Sequence, residues 1–319
     1  MFTRVLGRSG IEVSGLGMGC WAIGGPFWHN GRPVGWGQVD DVESIRSIQR
    51  ALDLGVTFFD TAAAYGCGHS ERVLGKALGT RRSSVVIATK FGQVFDETTR
   101  QVLGYDTRPE QVLLDCEASL RRLDTDVIDL FQLHVVREVD DQRAVEVREA
   151  LEKLVAAGKI RYYGWSTDSA EQALIFARGA HCTAIQQQFN IFDGDSETLA
   201  LCEEYNLASI NRGPLSMGLL TGKFTHETQF PGDDVRSRRP VLQEGRASRL
   251  GKLERIRSVM VQDGRTLAQA ALGWLWARSH ATIPIPGFKN IQQVEENAGA
   301  MAYGPLSGAQ MEEIAALLA

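Results

Sequence analysis

The sequence lacks the features that would place its chain in a membrane or give it a covalent framework. It has no run of about 18 apolar residues, the length needed to span a bilayer, and its first residues contain no apolar signal core. The five cysteines are odd in number, widely spaced and without a C-x-x-C pair, which argues against disulfides and zinc knuckles. We therefore expect a cytoplasmic protein with reduced thiols.

Concentrated charge and metal-binding spacings are also scarce. A net charge of −5 with 23% charged residues gives no basic footprint for nucleic acid or an anionic membrane. The local cluster Arg236, Arg238 and Arg239 is interpreted as a solvated loop, or alternatively as a surface facing a phosphorylated ligand. The six histidines include no H-E-x-x-H, so no metal site is predicted. The expected partner is a small molecule, and the oligomeric state is left open.

Short apolar runs alternate with longer amphipathic segments along the chain. Eight such runs, each followed by a helix, predict a parallel sheet closed into a (β/α)8 barrel, preceded by a β-hairpin around Ser9 and Gly10. A length of 319 residues fits one such barrel, so residues 1–319 are predicted to form a single domain. The strand candidates are residues 15–19, 57–60, 85–89, 128–133, 160–164, 183–187, 207–211 and 281–285. Helix caps are predicted at Asp40, Thr107, Asp168 and Thr266.

Two connections are too long for ordinary strand-to-helix turns. The first runs from Trp21 to Val39 and is rich in aromatic residues, and the second runs from Lys223 to about Ser248. They follow the first and seventh strands, so they lie at the mouth where barrel active sites sit. Both are predicted to cover substrate and cofactor, with a disordered surface insertion as the alternative for the second.

Polar residues end three neighbouring strands of the predicted barrel. Asp60 ends the second strand, with Tyr65 in the following loop, while Lys90 and His134 end the third and fourth. An adjacent ammonium is expected to lower the pKa of Tyr65, and Asp60 to keep Lys90 charged. His134 can donate a hydrogen bond to a carbonyl oxygen. Any one of these residues alone is explained by packing, capping or a salt bridge. Together they predict a site that protonates an oxygen as negative charge develops on it.

With these residues the chain resembles the aldo-keto reductases. The resemblance is carried by F-D-T-A-A-A-Y-G-C-G-H-S-E, I-A-T-K-F-G, L-D-T-D-V-I-D-L-F-Q-L-H and I-P-I-P-G-F-K-N. The start of the chain is most similar to the bacterial branch that includes inositol-utilisation and general-stress reductases. The resemblance implies that Tyr65 is the general acid, that Lys90 and Asp60 tune it, and that His134 orients a carbonyl which receives hydride from a reduced nicotinamide. It also implies a cofactor lying across the barrel mouth, and no G-x-G-x-x-G follows a strand.

The resemblance further implies the cofactor contacts. Ser166 and Gln186 match residues that bind the nicotinamide amide, Thr167 replaces a frequent asparagine, and Arg212 replaces a stacking aromatic, which a guanidinium can imitate. The segment from Pro214 to Lys223 resembles a pyrophosphate-binding loop. The implied contacts are Cys20, Trp21, Asp60, Ser166, Thr167, Gln186, Arg212, Pro214, Leu215, Ser216, Gly218, Lys223, Gly287, Lys289, Gln293, Glu296 and Asn297.

Lys289, at a predicted helix start, can pair with a 2′-phosphate, which favours NADPH over NADH. A solvent-facing lysine is the alternative. The substrate pocket is predicted to contain Trp21, Trp28, Phe95 and His134, with Trp36 as a weaker candidate.

The leading hypothesis is an NADPH-dependent aldo-keto reductase that acts reversibly on an aldehyde or ketone. The alternatives are an NAD(P)-dependent sugar or polyol dehydrogenase and a nicotinamide-binding regulatory subunit with little turnover. A metal-dependent barrel hydrolase would need clustered histidines or carboxylates at strand ends, and only His134 qualifies among the histidines. The natural substrate stays open.

Overall fold

The computed structural model describes residues 2–135, 138–194, 196–238 and 245–319. Its strands are β1 (Thr3–Val5), β2 (Glu12–Ser14), β3 (Met18–Gly19), β4 (Trp28–His29), β5 (Arg32–Pro33), β6 (Phe58–Asp60), β7 (Val86–Phe91), β8 (Gln93–Asp96), β9 (Gln101–Tyr105), β10 (Ile128–Leu133), β11 (Ile160–Ser166), β12 (Cys182–Gln188), β13 (Ala208–Arg212) and β14 (Thr282–Pro284). Its helices are α1 (Asp41–Asp53), α2 (His69–Leu78), α3 (Pro109–Leu123), α4 (Asp141–Ala156), α5 (Ala170–Ala177), α6 (Ser196–Glu204), α7 (Arg246–Met260), α8 (Leu267–Arg278), α9 (Ile291–Tyr303) and α10 (Gly308–Leu318).

Eight parallel strands form the barrel wall. They are neighbours in the chain order β3, β6, β7, β10, β11, β12, β13 and β14. The amides of Gly17 and Gly19 donate to the carbonyls of Pro284 and Pro286 over 2.9 and 3.0 Å, which joins the first strand to the last. The predicted (β/α)8 barrel is confirmed.

The helices surround this wall, and the hairpin β1–β2 lies at its lower end. Consecutive helices from α1 to α6 pack against one another, as do α8, α9 and α1, while α10 packs on α7. Leu6, which follows β1, is buried among the apolar residues of the barrel interior. The capping predictions are confirmed at Asp40 and Thr266.

Two of the predicted helix caps are wrong. Ser169 caps α5 in place of Asp168, because the Asp168 carboxylate accepts the amide of Gln188 over 2.6 Å. Thr107 does not cap α3, which begins with Pro109 after Arg108.

Inward-facing residues change from apolar to polar along the wall strands. Val86 and Ala88 on β7 belong to the inner apolar cluster, and the next inward position in this alternation is Lys90. On β10, Leu130 is followed in the same way by Gln132. The barrel interior therefore becomes polar at its mouth because the next inward-facing position on each of these strands is a polar residue.

A small four-stranded sheet covers part of the mouth, and the sequence did not predict it. Its order is β5, β4, β9, β8, with β4 and β9 parallel. It joins the predicted loop after β3 to residues 93–105, which follow β7. The described part of the chain thus shows a third long connection at the mouth, and the expectation of two was incomplete.

The predicted loops after β3 and β13 also contact each other. The amide of Val235 donates to the carbonyl of Gly35 over 2.7 Å, and the Arg236 guanidinium lies 4.7 Å from the centre of the Trp36 ring. Arg236 is also paired with Asp234 at 2.7 Å, so it is not a freely solvated residue. Arg239 and Pro240 of this loop lie outside the described residues.

All five cysteines are buried and unpaired. Among the described residues, no helix is long and apolar enough to cross a membrane. The same part of the chain holds no group of three or more His, Cys, Asp or Glu residues suited to a metal ion.

Candidate active site

Four side chains meet at the mouth of the barrel. The Nζ atom of Lys90 donates to Asp60 Oδ1 over 2.5 Å and to the Tyr65 hydroxyl over 3.1 Å. Its third bond goes to the carbonyl of Thr61 at 2.8 Å. The rings of Tyr65 and His134 lie edge to face with centres 6.1 Å apart. The structure thus brings together the four residues that the sequence selected as catalytic.

A tight turn after β6 places Tyr65. The Ala63 amide donates to the Lys90 carbonyl over 3.1 Å and the Gly68 amide to Ala63 over 2.7 Å. Gly66 has a φ of +62°, and a Cβ there would lie 1.9 Å from the carbonyl oxygen of Gly24. Only glycine allows the turn to approach the loop after β3 this closely.

The Asp60 carboxylate is buried and accepts hydrogen bonds from two further side chains besides Lys90. Gln132 and Gln186 donate to its Oδ2 atom over 3.2 and 2.8 Å. Burial is the largest single influence and lowers the pKa of Lys90, but the charges and hydrogen bonds of Asp60 and Tyr65 together outweigh it, and the net shift is upward. Lys90 is therefore held as an ammonium whose three protons all have acceptors. Sequence reasoning missed Gln132, although it faces inward two residues before His134.

The expected lowering of the pKa of Tyr65 is wrong. Burial raises the pKa, and the opposing charge of Lys90 offsets this effect only in part. Tyr65 is fully protonated at neutral pH. Because an ammonium can only donate, the Tyr65 oxygen accepts from Lys90 and its own proton points elsewhere.

The imidazole of His134 is neutral. Burial lowers its pKa to about 3, with smaller contributions from the charges of Lys90 and Arg212. Its Nδ1 atom lies 3.1 Å from Nε2 of Gln93, the first residue of β8. Gln93 was not predicted, because the sheet that carries it was not predicted.

Aromatic residues cover the Tyr65 side of the mouth. Trp21 stacks on Tyr65 with ring centres 5.9 Å apart, and its Nε1 atom donates to the Val34 carbonyl over 3.0 Å. Phe95 packs in the same apolar cluster as Tyr65, and Trp36 meets the edge of Trp21 at 5.5 Å. Trp28 lies on β4 outside this cluster. Among the predicted pocket aromatics, Trp21 is thus placed against the phenol, and Phe95 lies in the same apolar cluster.

The predicted nicotinamide contacts line the opposite side. Ser166 ends β11 and is buried, and Thr167 Oγ1 accepts the amide of Ser169 over 3.1 Å. Arg212 forms an ion pair with Asp168 and donates to Oε1 of Gln188 over 3.2 Å. No pattern in the sequence indicated Asp168 and Gln188 as partners of Arg212, since the three residues lie on three different segments.

The predicted pyrophosphate loop, Pro214 to Lys223, has an uncommon backbone. Ser216, Met217 and Gly218 have successive positive φ values of 48°, 57° and 97°. The Ser216 hydroxyl accepts from Arg249 over 3.2 Å, and Arg249 holds Asp193 at 2.5 and 2.7 Å. Arg249 lies on α7, far along the chain, and was not predicted.

Two predicted cationic contacts already have partners within the protein. Lys223 pairs with Glu296 at 3.0 Å, and the Lys289 ammonium donates to the Trp36 carbonyl. Around the start of α9, the Lys289 amide donates to Gln293 over 2.8 Å. Asn297 donates to Gly287 over 3.3 Å.

Cys20 differs from the other predicted contacts. Its amide donates to the backbone carbonyl of Asp60 over 2.8 Å, and its carbonyl accepts from the Ser70 hydroxyl over 2.8 Å. Its thiol lies 3.6 Å from the Met18 carbonyl. All three polar groups are bonded inside the protein, and the side chain is fully buried.

A barrel of this kind is also found in known proteins. The sequence model of the Aldo/keto reductase family matches residues 15–319, and the chain belongs to this family. The aldo-keto reductase YhdN of Bacillus subtilis is 35% identical over 295 residues, which cover 90% of this chain and 85% of the relative. The aldo-keto reductase yakc [NADP(+)] of Schizosaccharomyces pombe is 32% identical and covers 98% of this chain and 90% of its own.

A solved structure extends the likeness to three dimensions. The glycerol dehydrogenase of Gluconobacter oxydans superposes with a TM-score of 0.85 at 32% identity, covering 99% of this chain and 94% of that one. The family resemblance drawn from the motifs is confirmed.

Proposed function

We propose that this chain reduces the carbonyl group of an aldehyde or ketone, reversibly, with NADPH as hydride donor and Tyr65 as proton donor. The observation that carries the proposal is the buried series Asp60, Lys90 and Tyr65, joined at 2.5 and 3.1 Å. A salt bridge alone does not require a phenol at its end. A site for proton transfer does.

The cofactor is NADP(H), as in the yeast relative whose name specifies NADP(+). When bound, it supplies the hydride. Positive φ at Ser216 and Met217 costs about 1–3 kcal/mol per residue, and such strain persists where it serves a site. Where a right-handed residue precedes a left-handed one, successive amides form a concavity that binds anions, and Leu215 (φ −101°, ψ 17°) precedes Ser216 (φ 48°) in this way. The amides of Ser216 and Gly218 already donate to the carbonyls of Gly213 and Leu215, so the Ser216 hydroxyl and the Lys223 ammonium are the groups that would hold a pyrophosphate here.

The other end of the cofactor would lie at the start of α9. Gln293, Asn297 and Lys289 are grouped there, and the N-terminus of a helix favours a phosphate. The indole Nε1 of Trp36, the residue whose carbonyl Lys289 contacts, is buried without a hydrogen-bond partner. A buried donor of this kind costs free energy unless a ligand completes it. We infer that Lys289 leaves the Trp36 carbonyl for a 2′-phosphate and thereby favours NADPH over NADH.

Proton transfer would proceed from the Tyr65 hydroxyl to the substrate oxygen as negative charge develops there. The phenolate left on Tyr65 accepts from the Lys90 ammonium, whose charge Asp60 holds in place. Burial strengthens this interaction, because the effective dielectric constant at the site is lower than that of water. The neutral imidazole of His134 donates its one N–H to the same substrate oxygen and orients the carbonyl. In the oxidative direction the same groups act in reverse.

A second candidate is a polyol dehydrogenase. It is favoured by one observation, the likeness to the Gluconobacter glycerol dehydrogenase across the whole chain. The two hypotheses share one site and differ in physiological direction. Initial rates with NADPH and a panel of aldehydes, compared at one pH with NADP⁺ and glycerol or other polyols, separate them.

Replacing the proposed acid tests the proposal. Tyr65→Phe is expected to lower kcat for aldehyde reduction by about 10²–10⁴-fold, the contribution of a positioned general acid. NADPH binding, followed by tryptophan fluorescence, should change little. Tyr303→Phe is the matched control, since Tyr303 is 41% exposed. Full turnover by Tyr65→Phe contradicts the assignment, and binding of NADPH without turnover by the unaltered protein favours the regulatory alternative.

A further inference from the structure

The mouth sheet places an amide against the nitrogen of His134 that faces away from the proposed reaction. Gln93 follows Phe91 and Gly92 at the end of β7, and His134 follows Leu133 at the end of β10. These strands are adjacent, with Leu133 paired to Phe91, and the His134 amide donates to the Phe91 carbonyl over 2.9 Å. The two side chains therefore start from neighbouring points of one rigid wall.

Gly92 directs the chain from the wall into the mouth sheet. Its φ is +100°, and a Cβ there would lie 3.2 Å from Leu133 and 3.3 Å from Val135. Its amide donates to Asp115 over 3.2 Å, and its carbonyl accepts the amide of Asp106 over 3.1 Å. This turn is held on both sides, so the position of Gln93 is fixed by the fold.

The orientation of the Gln93 amide follows from a second contact. Its Nε2 atom lies 3.1 Å from His134 Nδ1 and 3.4 Å from the carbonyl oxygen of His134. A carbonyl oxygen can only accept, so the NH₂ end of the amide must face this position. The same NH₂ group then donates to Nδ1. A neutral imidazole that accepts at Nδ1 carries its single proton at Nε2.

We propose that Gln93 is a positioning residue that fixes His134 in the Nε2–H tautomer, so that its donor faces the substrate oxygen. The proposal rests on the proposed role of His134 in carbonyl reduction. Gln93 touches neither substrate nor cofactor in this scheme and acts through the imidazole. The sheet that covers the mouth therefore also sets the direction of a catalytic hydrogen bond.

The charged and titratable groups around the imidazole do not choose a tautomer. Lys90 from β7 and Arg212 from β13 act on its total charge, and the Tyr65 ring faces its edge. Burial, with smaller contributions from the charges of Lys90 and Arg212, keeps the imidazole neutral, which leaves one proton and two nitrogen atoms. The choice between those atoms falls to Gln93.

Two substitutions with opposite hydrogen-bonding character test this. Gln93→Met keeps the length of the side chain and removes the donor. Gln93→Glu offers only an acceptor, so neutral His134 is expected to carry its proton at Nδ1 and to present a lone pair at Nε2. Gln101→Met, a like change elsewhere in the same small sheet, is the control.

The direct measurement is a two-bond ¹H–¹⁵N NMR correlation on protein labelled with ¹⁵N-histidine. The His134 signals among the six histidines are assigned by their loss in His134→Gln. The native chain is expected to show Nε2–H, Gln93→Met a mixture of tautomers, and Gln93→Glu the Nδ1–H form at high pH. Native Nδ1–H, or an unchanged Nε2–H signal in both Gln93 variants, overturns the proposal.

The kinetic readout is the pH profile. Gln93→Met should lower kcat by about 2- to 10-fold, the effect of one hydrogen bond, with KM for NADPH unchanged. In Gln93→Glu the added carboxylate raises the imidazole pKa, so kcat should be retained at low pH, where His134⁺ donates from Nε2. It should fall as pH rises and that proton is lost, whereas a flat profile contradicts the proposal.

Failure of this inference is distinguishable from failure of the proposed function. The NMR measurement uses the protein alone and needs no turnover, so it decides the tautomer even if Tyr65→Phe proves fully active. If Gln93→Glu does not bind NADPH and is misfolded, Gln93→Met and the native spectrum still decide.

Discussion

Removing Lys90 should lower the free energy of unfolding, because it leaves the buried Asp60 carboxylate without its cationic partner. The side chains of Lys90 and Asp60 are 0% and 2% exposed, so neither charge can turn to water. In Lys90→Met the Asp60 carboxylate keeps only the amides of Gln132 and Gln186. Breaking a buried pair by removing one partner typically costs about 3–5 kcal/mol. We expect a loss of this size in the free energy of unfolding, measured by urea denaturation at pH 7.

The companion variant separates charge from packing. In Lys90→Met combined with Asp60→Asn, no charge is left unpaired, and the amide oxygen that replaces the carboxylate can still accept from the two glutamines. Part of the lost stability should therefore return, because the uncompensated carboxylate is the main cost. A double variant no more stable than Lys90→Met refutes this reasoning, as does a Lys90→Met protein as stable as the native one. Both variants should lack turnover, since the Tyr65 phenolate loses its ammonium.

The pH dependence of stability gives an independent check on the same pair. Asp60 raises the pKa of Lys90 in the folded protein. A group whose folded pKa is raised stabilises fully below its unfolded pKa, about 10.4 for lysine, and loses that contribution as pH rises through the folded value. The native chain should therefore lose more stability above about pH 10 than the double variant, in which this group is absent.

The remaining predictions concern the turn, the imidazole and the cofactor. Gly66→Ala should abolish folding or activity, because its Cβ would lie 1.9 Å from the Gly24 oxygen; a stable, active variant, judged by thermal unfolding and turnover, disproves the close approach. The His134 pKa of about 3 predicts that kcat for reduction shows no protonation step from this residue between about pH 5 and 8, the range where an ordinary histidine titrates. A protonation step in this pH range that is present in the native enzyme and absent from His134→Gln would contradict the lowered pKa of His134. Lys289→Glu should weaken NADPH binding much more than NADH binding through repulsion of the 2′-phosphate, and equal weakening in parallel fluorescence titrations would dismiss the assignment.

The parts of the site that could be predicted from the sequence are those fixed by strand alternation. Lys90 and His134 end long apolar runs, and a parallel barrel brings such ends together whatever the loops do. Gln132 obeys the same rule, and extending the alternation backwards from His134 would have found it.

Other parts depend on contacts between distant segments. Residues 93–105 form strands because β9 pairs with β4, more than 60 positions earlier in the sequence, and their polar sequence has no alternation to reveal this. Asp168, Gln188 and Arg249 owe their roles to partners on other segments in the same way.

The sign of the pKa shift at Tyr65 could not be read from neighbouring residue types either. Lys90 is adjacent, as expected, but its favourable charge competes with burial of the phenol, and the competition depends on how completely the mouth is covered. Trp21, which stacks on the Tyr65 ring, provides part of that cover. Residue identity predicts which charges meet, while the extent of burial decides which influence is larger.

The balance of charge at the mouth bears on why Tyr65, and not His134, is the proposed acid. Lys90 is paired with Asp60, and Arg212 is paired with Asp168, so these four charges cancel and both candidate donors are neutral. Transfer of a proton leaves a negative charge on the donor, and only the Tyr65 oxygen lies within hydrogen-bonding distance of an ammonium, at 3.1 Å from Lys90. The imidazole of His134 instead contacts the Gln93 amide, which stabilises its neutral form. The geometry therefore favours loss of a proton at the phenol and retention of one at the imidazole, which is the division of roles that carbonyl reduction requires.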